Sequence, residues 1–138
     1  METETIMKIT NHEYYVSLEV AKLLKEAGFD WKCRGIYVLD SENGHEYVFS
    51  TANFTNTSKE IEGYIRLSAP TLEVAQRWLR ETQKYQVAIL PNGLKGYATL
   101  CFLHKEPITQ PFRHYSTYEE ALEVGIKKVL EIVLEKRE

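Results

Sequence analysis

TLEVAQRWLRETQKYQVAIL, residues 71–90, changes its hydrophobic period part-way along. Leu72, Ala75, Trp78 and Leu79 recur at helical spacing, whereas Val87, Ile89 and Leu90 form an apolar run of strand length. Pro70 and Thr71 supply a start signal and Pro91-Asn92-Gly93 a stop. The stretch therefore predicts an amphipathic helix over about 71–83, a short break, and a strand near 86–90. Glu73 with Arg77, and Gln76 with Arg80, fall on the side expected to face water.

Working outward, the partner of that strand is expected at 97–103, across a turn containing Gly93 and Gly96. A loop with two prolines follows over 104–116. Ser116 or Thr117 then opens a last helix running to about 135. Tyr118, Leu122, Ile126, Val129 and Val133 hold one face of it, with Leu130 and Leu134 widening the stripe. Gly125 lies within that stripe, where a missing side chain permits close backbone approach.

Toward the N-terminus, residues 51–60 are rich in Ser, Thr and Asn and read as a loop, while 61–67 reads equally as a short strand or irregular chain. Strands are expected near 36–40 and 46–50, with Asn43-Gly44 as a hairpin signal between them. A first helix spans about 17–27. Ser17 caps it, Val20, Ala21, Leu24 and Ala27 share one face, and Gly28 is the left-handed stop, with Phe29 closing over Leu24. Residues 1–13 are polar and expected to fray. Three segments, SLEVA from Ser17, TLEVA from Thr71 and TYEEA from Thr117, repeat a hydroxyl cap, an early acid and an alanine. Independent use of good capping chemistry explains them; duplication of a helix-plus-hairpin unit is the alternative.

These elements amount to an α+β fold, three helices packed on a mainly antiparallel sheet of about four strands. At 138 residues the chain is long enough for one domain with a real core. The formal charge is −3. Residues 1–68 carry 11 acids and 7 bases, and residues 69–138 carry 9 acids and 10 bases, so neither half has the basic excess of a phosphate-backbone binder. No apolar run approaches the roughly 20 residues of a membrane span, and METETIMKIT lacks the apolar core of a signal peptide. Two cysteines, Cys33 and Cys101, are too few for a disulfide scaffold. A cytoplasmic setting is expected, with both thiols free.

Three segments carry a family likeness. LEVAKLLKEAGFDW (18–31), SAPTLEVAQRWLRE (68–81) and YEEALEVGIKKVL (118–130) resemble a group of small proteins of unknown function, widespread in gut Bacteroides-type bacteria and in their phages and mobile elements. The resemblance implies a small α+β fold and a bacterial cytoplasm. It assigns no catalytic or binding residues.

The residues point to no chemistry of their own. His12, His45, His104 and His114 are scattered, and neither Cys-x-x-Cys nor His-x-x-x-His occurs. There is no nucleophile elbow, phosphate-cradling loop or dinucleotide fingerprint. Glu119-Glu120 sit in a helix first turn, where they serve the dipole. No residue is assigned to catalysis, cofactor or metal, and no cofactor is expected. Nucleic acid is the second reading: Tyr37, Tyr47 and Phe49 on strands suit base stacking, and Arg77, Arg80 and Lys84 form a small basic face. Interleaved acids and the absence of an RNP-type motif make it the less favoured one. A small enzyme of unknown reaction ranks third.

The expected function is a non-catalytic binding or interaction module, acting on an unknown protein partner or by self-association. The expected surface follows from period two. If Ile36, Val38 and Val48 meet the helices, then Tyr37, Leu39, Tyr47 and Phe49 share the open face as a partner or dimer surface. The opposite assignment makes those aromatics the core.

Overall fold

The structure is a computed structural model. It describes residues 7–8, 14–40, 45–56, 64–93, 96–109 and 115–137, without the side chains of 7–8, 45–53 and 92. The Asn43-Gly44 turn and, apart from Met7 and Lys8, the expected fraying of 1–13 lie outside the described residues. The chain folds as two compact units, Met1–Thr71 and Leu72–Glu138.

In the first unit the elements are β1 (Met7–Lys8), α1 (Leu18–Ala27), β2 (Cys33–Asp40), β3 (His45–Phe54) and β4 (Tyr64–Ser68). The strands pair antiparallel in the order β1-β3-β2-β4. Helix α1 begins where Ser17 Oγ accepts from the Val20 amide (3.2 Å). It ends at Gly28, whose φ of 97° a side chain would resist. The Phe29 and Gly28 amides then donate back to the Leu24 and Lys25 carbonyls, the Schellman pattern expected from the Gly-Phe pair. Val20, Ala21, Leu24 and Ala27 are buried, and α1 packs against β4. β3 continues to Phe54, so the Ser/Thr/Asn-rich stretch is strand for its first four residues. The undecided stretch before Ser68 resolves as β4 over its last four residues, and the strand ends at Ser68.

The second unit contains α2 (Leu72–Trp78), a π-helical turn (Leu79–Gln83), β5 (Tyr85–Asn92), β6 (Gly96–Leu103), β7 (Glu106–Pro107) and α3 (Tyr118–Lys136). Its sheet has the order β5-β6-β7, all antiparallel. The α+β class with antiparallel strands stands as expected; among the described residues the strands exceed four and belong to two sheets. Helix α3 is capped by Thr117, whose Oγ1 accepts from the Glu120 amide (3.0 Å), while the Glu120 carboxylate accepts from the Ser116 amide (3.1 Å). Two orphan donors are satisfied by one acid and one hydroxyl.

Period two sorts β5 and β6 onto two faces. Tyr85, Val87, Ile89, Thr99 and Cys101 lie on the face covered by α3. Thr99 Oγ1 donates to the Ala121 carbonyl (2.6 Å), and the Cys101 thiol lies 3.8 Å from the Gly125 carbonyl. A Cβ on Gly125 would collide with the Thr99 and Val87 side chains, so this glycine sets how closely α3 approaches the sheet. Trp78 is 2 % exposed and Leu79 fully buried. The π turn follows directly. Its widened ring closes with the Lys84 amide on the Leu79 carbonyl, Thr82 Oγ1 donates to the Trp78 carbonyl (2.7 Å), and Lys84 takes a left-handed φ of 68° before β5.

Candidate interaction surface

The four positions expected to share an open face are split between two. In the β2–β3 register Tyr37 pairs with Val48 and Leu39 with Glu46, while Ile36 pairs with Phe49 and Val38 with Tyr47. Residues directly paired across an antiparallel ladder sit on the same face. Tyr37 and Leu39 therefore occupy one face, and the Tyr47 and Phe49 positions the other. The side chains of Tyr47 and Phe49 lie outside the described residues. Each strand alternates as expected, but the phase between the strands is a matter of register, which the alternation does not carry.

Tyr37 is also not open. It is 7 % exposed, and its hydroxyl donates to the Val16 carbonyl (2.8 Å), just ahead of α1. The ring belongs to the core of the first unit, which corrects the interface reading for this residue. Leu39 is half-buried and pairs with Ile65 of β4, which is 45 % exposed. The Tyr37 face thus runs from covered positions, Tyr37 and Leu67, to an exposed apolar end.

A broader open face belongs to the second unit. Gln86, Ala88 and Leu90 of β5 pair with Phe102, Leu100 and Ala98 of β6, on the side of the sheet away from α3. Leu90 is 42 % exposed, Gln86 is exposed, Ala88, Leu100 and Phe102 are half-buried, and Ala98, between larger neighbours, is 7 % exposed. The six side chains carry no charge. Sequence reading missed this face because β5 and β6 are apolar at nearly every position, which reads as burial on both sides. Sorting VAIL and ATLCF by parity would have separated Ala88, Leu90, Ala98 and Leu100 from the α3-facing set.

One backbone group at an edge of each sheet is satisfied by a carboxamide. The Tyr97–Tyr115 backbone exchange and the Ile108 amide on the Cys101 carbonyl show that odd residues of β6 point away from β5. Even residues therefore join β5 to β6, and Val87 directs its carbonyl to the free edge. Gln76 Nε2 donates to it (2.7 Å), so this residue is not a water-facing partner of Arg80. In the first unit, Asn56 Oδ1 accepts from the Ser68 amide at the outer side of β4 (2.9 Å) and Nδ2 donates to the Phe29 carbonyl (3.0 Å).

Other chemistry-bearing groups serve local structure. Burial pushes the Cys101 thiol up to about 11, against the Thr109 hydroxyl and the Lys128 charge, which lower it. Burial also raises the Cys33 thiol, opposed by contacts with Ser68, Ala69 and Gly35. Both cysteines are free, and both are held protonated and poorly nucleophilic. Among the described residues, no three His, Cys, Asp or Glu side chains converge as metal ligands would. On the basic face of α2, Arg77 lies 3.9 Å from Glu81 and the Lys84 ammonium donates to the Glu81 carbonyl (3.1 Å). A shallow cleft beside α3 gathers Lys127 and Lys128 with Tyr115 and Val124, and Glu131 supplies a counter-charge. No described helix is long and apolar enough to cross a membrane.

A scan against protein-family models found no match, and neither curated proteins nor solved structures produced one.

Proposed function

We propose that this chain is a non-catalytic binding module whose contact surface is the open face of the β5–β6 sheet. The observation that carries the reading is Leu90. It stands 42 % exposed on an uncharged face that is apolar at every position but Gln86, on the side of the sheet opposite α3. A three-stranded sheet gains stability when both faces are covered, so a largely apolar face that leaves Leu90 exposed is a standing site for a partner. The absence of charge on it selects an apolar protein surface over a nucleic-acid backbone. A bacterial cytoplasmic setting, as an accessory protein of a mobile element, rests on the likeness carried by SAPTLEVAQRWLRE.

Affinity capture from bacterial lysate, run in parallel with the parent chain and with Leu90→Glu, tests the reading. A protein retained by the parent and lost with the variant supports it. Capture of the same protein in equal amount by both, or a gel shift with nucleic acid at moderate salt that survives Leu90→Glu, refutes it.

A further inference from the structure

The open face is self-complementary in size. Across the β5–β6 ladder each central pair joins one small and one large side chain: Ala88 with Leu100, and Ala98 with Leu90. The small residue changes strand from one pair to the next, so the face is a checkerboard. Consider a second copy stacked face to face, related by a two-fold axis lying between the sheets and parallel to the strands. That rotation carries β5 of one copy over β6 of the other without moving any residue along the strand. Ala88 then meets Leu100 of the second copy, and Leu90 meets Ala98. At the two central pairs each large side chain faces a small one, while Gln86 meets Phe102 at the end of the face; the strands of the two sheets stay aligned, as in sandwich packing. The alternative two-fold, perpendicular to the strands, sets Leu100 on Leu100 and Ala88 on Ala88, and loses the match.

We infer that a second copy of this chain covers the face in this arrangement; the inference rests on the face being the binding surface proposed above. A homotypic contact is isologous, so each residue must suit its counterpart on an identical surface. Size alternation meets that demand for shape. The lack of charged side chains among the six meets it for electrostatics, since two like copies bring no repulsion to the contact. The area sets the strength. Two paired strands of eight residues offer on the order of 300 Å² per copy, against about 800 Å² in a standard interface. The association is therefore weak and concentration-dependent.

Sedimentation velocity of the full chain from micromolar to millimolar concentration reads the association, and a fluorescent apolar dye reads the free face. The parent should shift toward dimer as concentration rises. Ala88→Leu sets a large residue against Leu100 of the other copy and should weaken dimerisation by about tenfold or more. Exchanging the two sizes, Ala88→Leu with Leu100→Ala, should restore it. Leu90→Glu, at an exposed position that leaves the core untouched, should abolish it. Association that survives Leu90→Glu and Ala88→Leu overturns the inference, as does a parent that stays monomeric at millimolar concentration. In the monomeric case, dye binding that Leu90→Glu removes leaves the open-face reading standing and defeats only the second copy. Dye binding that neither occurs nor changes defeats both.

Discussion

The Gln76 side chain spans from α2 to the Val87 carbonyl of β5, with Nε2 donating at 2.7 Å. That carbonyl points to the free edge of the sheet, where an unpaired row of backbone groups invites another strand. Gln76 satisfies one group of the row, and Pro91, which has no N–H, occupies an outward position four residues on. Gln76→Ala should lower stability by about 1–2 kcal/mol, since a part-buried carbonyl loses its donor. It should also raise light scattering on prolonged incubation. Urea unfolding and static scattering check the two effects; an unchanged midpoint would show that water replaces the amide.

Gly125→Ala tests how α3 is seated. The added methyl meets Thr99 and Val87 side chains at once. Helix propensity favours alanine by about 1 kcal/mol, and overpacking a tight contact costs about 1–3 kcal/mol. The variant should therefore be destabilised or at best neutral. Thr99→Ser removes the offending methyl while keeping the hydroxyl on the Ala121 carbonyl. Combined with Gly125→Ala it should recover part of the loss, and a double-mutant cycle by urea denaturation measures the coupling.

Tyr37 separates core from interface. Tyr37→Phe removes the hydrogen bond to the Val16 carbonyl and should cost about 1 kcal/mol, with self-association unchanged. Tyr37→Ser also removes a buried ring and should cost about 3–5 kcal/mol. Thermal unfolding and sedimentation run together distinguish these from an interface role, in which association would fall and stability would hold.

Trp78→Ala should cost about 3–5 kcal/mol, because the ring is buried beside Leu79 and its removal leaves a cavity. A denaturant midpoint equal to that of the parent would place the ring outside the core.

Cys101 carries a pH signature. Its thiol is raised to about 11 from an ordinary 9.0 by burial. The unfolded chain therefore releases this proton first as pH rises. The stability contribution is complete below 9.0 and is lost as pH climbs toward 11. Urea midpoints across that window should fall more steeply for the parent than for Cys101→Ala. At neutral pH, alkylation of Cys101 should be slow in the native chain and fast in denaturant.

Much of the architecture was legible because local chemistry dictates it. Ser17, Gly28 and Thr117 cap or stop helices through their own side chains or lack of one, and each does so where the pattern placed it. Trp78 was readable as core from the helical stripe alone. The π turn at Leu79–Gln83 was not readable, since the residues suit an ordinary α-helix and the extra residue is absorbed only when the turn must deliver Tyr85 into β5. The strand character of residues 51–54 was hidden by Thr51 and Asn53; the register with β2 shifts after Ser50 and resumes where Phe54 pairs with Cys33.

The sequence by itself determined the kinds of element, their order and their capping, because these depend on residues within a few positions of one another. It also established that each strand alternates. Only the tertiary structure decided how those alternations are phased against neighbours and which face of each sheet a helix occupies. Tyr37 pairs with Val48 and not with Tyr47 because the register, a relation between separate strands, sets the phase. Leu90 and Val87 are equally apolar as letters. Gly125 admits Val87 beneath α3, and Leu90, one face over, is left in the open.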